Sequence, residues 1–265
     1  MSKKVAIVTG GTSGIGRATA LALQERGYTV YELSRRAEGM PDIRHIVADI
    51  TKEETLQAAV EQVLAVEGRL DLVVNNAGFG ISGAIEFTDT QEAQRLFDTL
   101  FFGMVRMNRC VIPLMRQQGH GRIVNISSVA APVPIPFQAY YSAGKAAINA
   151  YTMALANELR SFGVTVCAVM PGDIKTGFTA ARHKIIDGDD IYQGRIGRSV
   201  QRMEHDEQTG MDPAKVGRYI AAVASREGSH HPLYATRIDY KFFVFLTKVL
   251  PARFLNWLIY QLYGK

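Results

Sequence analysis

Cysteine is almost missing from this chain of 265 residues: only Cys110 and Cys167 occur. That excludes a disulfide framework and makes a reducing compartment the default. Two cysteines without a nearby histidine pair also leave no metal site to expect. Long apolar runs are missing too. The nearest candidate, 16 apolar residues among the 22 from Phe242 to Tyr263, is interrupted by Lys248, Pro251 and Arg253. It falls short of the roughly 20 residues that a spanning helix needs. The N-terminus reaches Gly10 after a short apolar stretch, too brief for a signal-peptide core, so a cytoplasmic protein is expected. No basic stripe with recognition chemistry appears, and a nucleic-acid partner is not expected.

What is present is ordinary globular composition: 47% apolar, 9% aromatic and a mean hydropathy near zero. Disorder is excluded, and the length suits one large α/β domain without a linker. The net charge of +5 is lopsided, with +4 of it in the last 29 residues, where Arg237, Lys241, Lys248, Arg253 and Lys265 face only Asp239. A basic and apolar tail over 241–265 fits a helix packed on its own core or on a second subunit. It also fits peripheral contact with a membrane surface.

Strand and helix alternate. Val5–Val8, Thr29–Leu33, Leu70–Val74, Arg122–Ile126 and Val164–Val169 read as buried strands. Helical patterns run from Ile15 to Glu25, about Thr51 to Val66, Gln91 to Arg116 and Tyr140 to Arg160. Thr51 with Glu54 three residues on reads as a capping box. The expectation is a doubly wound α/β fold, a parallel sheet of about seven strands with helices on both faces. Asp173 to Met211 breaks the periodicity, and its place after a strand end suits a mobile lid.

Thr9–Gly16 directly follows a strand and opens a helix. Glycines at 10, 14 and 16 permit a tight turn and close approach to a pyrophosphate, with Thr12, Ser13 and Ile15 between them. Tyr141 and Lys145, four apart on a helix, share one face. An ammonium there favours the phenolate and lowers the tyrosine pKa toward neutrality, so that the phenol can exchange a proton with a reacting oxygen.

In company, these motifs resemble the short-chain dehydrogenase/reductase family from about Lys4 to Ile238. The cofactor turn matches Thr9–Gly16, and Asn75-Asn76-Ala77-Gly78 stands intact. Tyr141 and Lys145 match the catalytic pair, with Ser128 placed 13 residues before the tyrosine. Pro171-Gly172 and Thr176 match the segment after the sixth strand. The resemblance implies a Rossmann-type fold binding a nicotinamide dinucleotide. It implies Tyr141 as acid–base, Ser128 as hydrogen-bond donor to the reacting oxygen, and Lys145 as holder of the nicotinamide ribose. Asp49-Ile50 matches the family's adenine-contacting pair, and the resemblance implies that Asn76, Ala77 and Gly78 line the cofactor. Tyr140 reads as packing, and Ser127 as a strand-end serine bonded to backbone.

One family position departs. Aligned on Gly103, the asparagine that supports the family's proton relay is Leu100 here, so a relay would have to run through water and backbone, or turnover be slow. Asn108, about 12 Å along the helix, is too far to substitute. Cofactor choice turns on Tyr31-Glu32-Leu33-Ser34-Arg35-Arg36: with Ser34 in the acidic slot, Arg35 meets a 2′-phosphate, and NADP(H) is favoured over NAD(H). A two-residue shift would instead make Glu32 a ribose ligand. The proline-rich segment Val129–Phe137, Phe178 and the tail aromatics could wall an apolar pocket. The layout looks like the hydroxysteroid and retinol dehydrogenase branch, which implies a lipophilic carbonyl or alcohol substrate. A homodimer or homotetramer through helices 91–116 and 140–160 is also implied. The alternative is a catalytically weak regulatory or membrane-associated protein on the same fold.

Overall fold

A computed structural model describes residues 3–226 and 231–265. In chain order the elements that place the site are β1 (Val5–Thr9), α1 (Gly14–Glu25), β2 (Thr29–Ser34), β3 (Arg44–Val47), α2 (Glu53–Glu67), β4 (Leu72–Asn75) and a short β5 (Ile81–Ser82). Then follow α3 (Thr90–Phe97), α4 (Gly103–Gln118), β6 (Gly121–Ile126), α5 (Ala139–Glu158) and β7 (Val164–Met170). The remainder is α6 (Phe178–Ala181), a short β8 (His183–Lys184), α7 (Arg195–Gln208), α8 (Pro213–Ser225), β9 (Leu233–Ala235), α9 (Ile238–Val249) and α10 (Ala252–Ile259).

Seven parallel strands form one sheet in the order β3-β2-β1-β4-β6-β7-β9. Strands buried on both faces need continuous apolar runs, and β1, with all five residues buried, has one. One face packs on α2, α4 and α5 through Leu56, Val60, Met107, Val111 and Leu155. The other packs on α1 and α8 through Ala20, Leu23, Val216 and Ile220. The chain winds outward from β1 to β3, then restarts with β4 on the opposite side of β1. That reversal opens a crevice at the strands' carboxyl ends.

Two expectations are corrected. Thr51 does not cap α2: Lys52 precedes the first turn, and the Thr51 hydroxyl donates to Asp49 Oδ1 at 2.8 Å. The stretch from Gln91 to Arg116 is not one helix but α3 and α4, joined by a π turn over Asp98–Phe102 that re-aims the residues between them. The region 173–211 holds real structure, since α7 buries Ile196, Val200 and Met203 on one face. The edge strand β3 escaped notice because only Ile46 of its four residues is buried.

Candidate functional site

The crevice is a cleft of about 1420 Å³. Its lining gathers residues that the sequence scatters from Thr9 to Glu207. The turn after β1 contributes Gly10, Thr12, Ser13, Gly14 and Ile15; the end of β2 contributes Ser34, Arg35 and Arg36; and the segment after β3 contributes Asp49 and Ile50. Asn76, Ala77 and Gly78 follow β4, Ser128 follows β6, Tyr141 and Lys145 come from α5, and Pro171, Gly172 and Thr176 follow β7. Among the expected site residues Gly16 alone is not in the wall. It sits behind, where a Cβ would fall 2.3 Å from the Gly10 carbonyl oxygen.

The β1 turn suits a pyrophosphate. Gly10 and Gly14 adopt φ of 66° and 53°, the left-handed region that glycine enters without strain. Ser13, the residue before α1, makes no side-chain cap, so the first backbone N–H groups of the helix remain available to an anion at the positive end of its dipole. Asn76 ties this turn to the β4 turn, its Nδ2 donating to the Thr9 and Gly10 carbonyls at 3.1 and 3.2 Å.

At the end of the cleft beyond β2 and β3, Asp49 accepts from the Thr51 amide at 2.9 Å. Burial pushes its pKa up, but the Thr51 hydrogen bonds and the Arg35 and Lys52 charges outweigh that and hold it below its ordinary value. Glu32 does not line the cleft. It is fully buried beneath Gly11, where a Cβ would meet its own Cβ at 2.6 Å, and it pairs with His45 Nδ1. Burial raises its pKa. The β2 register therefore presents Ser34 and Arg35 to the cleft and turns Glu32 away.

At the other end, the Ser128 oxygen accepts from the Ala130 amide at 3.1 Å, and its hydroxyl neighbours the Tyr141 phenol. Lys145 donates to the Ile126 carbonyl at 2.7 Å, with its Nζ 5.5 Å from the Tyr141 ring centre. In the protein alone, burial acts against the lowered tyrosine pKa expected from the lysine. Burial pushes Tyr141 up to about 12, against a smaller opposing pull from Ser128, and burial pushes Lys145 down to about 7. Each group is biased toward its neutral form. Ser127 donates to the Lys145 carbonyl at 3.1 Å, which is the backbone pairing expected of it.

Leu100, on the π turn, is buried against Gly78 and Gly144 and packs with Ile81, Leu96, Tyr140 and Tyr141. A Cβ on Gly78 would meet its Cδ2 at 2.4 Å, so the leucine fills the space beneath the β4 turn. Asn108 is committed elsewhere: its Oδ1 accepts from Asn75 at 2.8 Å, and Asn75 in turn donates to Asn125 at 2.9 Å.

Val129, Ala130, Ile135 and Phe178 wall the cleft beside Tyr141, with the Phe178 ring 5.7 Å from that of Tyr141. The tail aromatics do not. Tyr240 of α9 instead lays its ring on Gly172, where a Cβ would fall 2.0 Å from Cζ, and its hydroxyl donates to Asp173 Oδ2 at 3.1 Å. Two cleft residues that the sequence reading passed over are Arg182 and Glu207, an ion pair 25 positions apart. No local pattern marks them, because the turn after α6 and the face of α7 meet only in the fold.

No helix among the described residues is long and apolar enough to cross a membrane, and none of their His, Cys, Asp and Glu side chains cluster as metal ligands. In comparison with known proteins, a 3-ketodihydrosphingosine reductase of Bacteroides thetaiotaomicron is 37% identical over 261 residues, covering 97% of this chain and 94% of the relative. A short-chain dehydrogenase from Streptomyces avermitilis superposes with a TM-score of 0.83 at 33% identity, over 92% of this chain and 91% of that one. A 3-ketoacyl-(acyl-carrier-protein) reductase from Brucella melitensis, complexed with NADH, gives a TM-score of 0.75 at 26% identity, over 88% and 96% of the two chains. Residues 4–185 match the family model described as short chain dehydrogenase, and the chain belongs to that family of oxidoreductases.

Proposed function

We propose that this oxidoreductase is an NADP(H)-dependent reductase of a lipophilic ketone, with 3-ketodihydrosphingosine as the leading substrate. The observation that carries the reading is the single cleft in which Tyr141, Ser128 and Lys145 share walls with the β1 turn and with Arg35. The residues present fit a dinucleotide: glycines at positive φ, an uncapped helix N-terminus and a polar far end. Gly10, Thr12–Gly14, Asn76–Gly78 and Thr176 would hold its phosphates and ribose, while Asp49 and Ile50 would flank the adenine. When bound, the nicotinamide supplies or accepts the hydride. Tyr141 donates its proton to the reacting oxygen and Ser128 hydrogen-bonds that oxygen. Lys145 would hold the nicotinamide ribose.

NADP(H) is favoured because Ser34, Arg35 and Arg36 face the cleft while Glu32 is turned into the sheet. A guanidinium suits a 2′-phosphate, whereas a buried carboxylate cannot reach ribose hydroxyls. The relative from Bacteroides supports the lipid class, as do the apolar side chains around Phe178.

The tail fits peripheral membrane contact. Phe242, Phe245, Phe254 and Trp257 are exposed beside Lys241, Lys248 and Arg253. We also propose a homodimer or homotetramer through α4 and α5, where Phe102 and Met153 stay exposed. Leu100 favours a second reading, a weak catalyst that acts as a cofactor-binding regulator. NADPH oxidation with 3-ketodihydrosphingosine and plain long-chain ketones separates the two: turnover that Tyr141→Phe abolishes supports the reductase, and tight NADPH binding without turnover supports the regulator.

A further inference from the structure

The buried ion pair beside the catalytic tyrosine is only half used. Arg182 has a fully enclosed side chain, yet it forms part of the cleft wall. Its Nη2 pairs with Glu207 Oε1, while Nε and Nη1 are buried without a hydrogen-bond partner among the described residues. Glu207 Oε2 accepts the Thr179 hydroxyl at 2.6 Å, so the carboxylate is held in place from α6 as well. The guanidinium carbon stands 5.6 Å over the Phe178 ring, and that ring neighbours Tyr141. The pair therefore lies one aromatic ring away from the proton donor. A buried guanidinium with unmade donors is costly, and such a cost is met when an acceptor arrives.

We propose that Arg182 and Glu207 form a subsite for the polar head of the substrate, an amino alcohol carried next to the reacting ketone. The unpaired guanidinium N–H groups donate to a hydroxyl oxygen of that head, and the Glu207 carboxylate accepts from its ammonium. The inference rests on the reductase reading and deepens it. Alternatives fit the charges less well. A carboxylate head would satisfy Arg182 but face Glu207 and Asp173 in the same wall, with Asp206 near enough to help raise the Asp173 pKa. An all-carbon head would leave the guanidinium donors unmet. An amino alcohol brings one acceptor and one cation to a wall that offers donors and carboxylates.

The test uses the full chain with NADPH and two ketones of equal length, 3-ketodihydrosphingosine and octadecan-3-one, which lacks the head. The quantity read is the ratio of their kcat/KM values in wild type, Arg182→Met, Arg182→Lys and Glu207→Gln. Wild type should favour the head-bearing ketone. Arg182→Met and Glu207→Gln should lower that ratio by about tenfold or more, chiefly through KM, and Arg182→Lys should recover part of it. Proportional losses on both ketones would make the pair a structural strap and overturn the subsite. Wild-type turnover without preference for the head would overturn it too, while leaving the reductase reading standing. Failure of wild type to reduce either ketone, with NADPH bound, would sink both. Should Arg182→Met not fold, the near-isosteric Glu207→Gln carries the test.

Discussion

The ammonium of Lys145 makes its hydrogen bond to the Ile126 carbonyl, at 2.7 Å, and not to Tyr141, whose ring centre lies 5.5 Å away. Burial thus governs both groups, and the phenol keeps its proton until pH reaches about 12. The proton-donating form persists across the neutral range, so ketone reduction should hold a flat kcat/KM from about pH 6 to 9, while alcohol oxidation, which needs the phenolate, should climb throughout. Steady-state profiles in both directions check this. An oxidation profile that levels off near neutrality would mean that the bound dinucleotide, not the protein alone, depresses the phenol. Tyr141→Phe should cost about 10²- to 10⁴-fold in turnover with NADPH affinity nearly unchanged.

Lys145 itself makes stability depend on pH. Its folded pKa, about 7, lies below the ordinary lysine value of 10.5. Between those values the unfolded chain binds more protons than the folded one, so stability rises with pH through that window and is lost as pH falls toward 7. Lys145→Met removes the titrating group. The variant's Tm advantage over wild type, or its smallest deficit, should therefore occur below about pH 7 and shrink steadily toward pH 10. A Tm difference that does not vary with pH would show that Lys145 is not desolvated in the folded protein.

Arg35 faces the cleft whereas Glu32 is enclosed against Gly11 and His45. Arg35→Ala should weaken NADPH about 10- to 100-fold, the range of a lost charge-assisted hydrogen bond, and leave NADH affinity within about a factor of two. Fluorescence titration with both dinucleotides measures this. Equal weakening of the two would show that Arg35 does not read a 2′-phosphate.

Much of the site was legible because its signals are local. Glycines between a strand and a helix report a turn, and Tyr141 with Lys145 reports a helix face; the fold then only had to bring strand ends together. What escaped the sequence depends on distant packing. The upward push of burial on the Tyr141 pKa comes from packing that no local pattern reports. The π turn that carries Leu100 interrupts what reads along the chain as one continuous helical periodicity. Arg182 and Glu207 meet across α6 and α7, in a region whose polar surface hid the apolar face of α7. The requirement for glycine at 172 comes from Tyr240, 68 positions on.

The tail presents two faces. Inward, Tyr240 anchors α9 to Asp173, Tyr263 donates to Asp206 at 3.1 Å, and Arg195 of α7 donates to the Gly264 carbonyl at 2.6 Å. Outward, Phe254 and Trp257 stack with centroids 5.8 Å apart, each about half exposed, with Arg253 beside them. Aromatics and cations on one short helix suit a headgroup boundary, where apolar burial and attraction to anionic lipid add. The full chain should cosediment with vesicles of anionic phospholipid, less so at high salt because the cationic contribution is screened. Trp257→Glu should reduce that binding about tenfold or more while leaving Tm close to wild type, since the ring contributes little to the core. If Trp257→Glu and Phe254→Glu bind vesicles as wild type does, the outward face does not meet lipid. A shift to a smaller oligomer in the same variants would assign it instead to contact between copies of the chain.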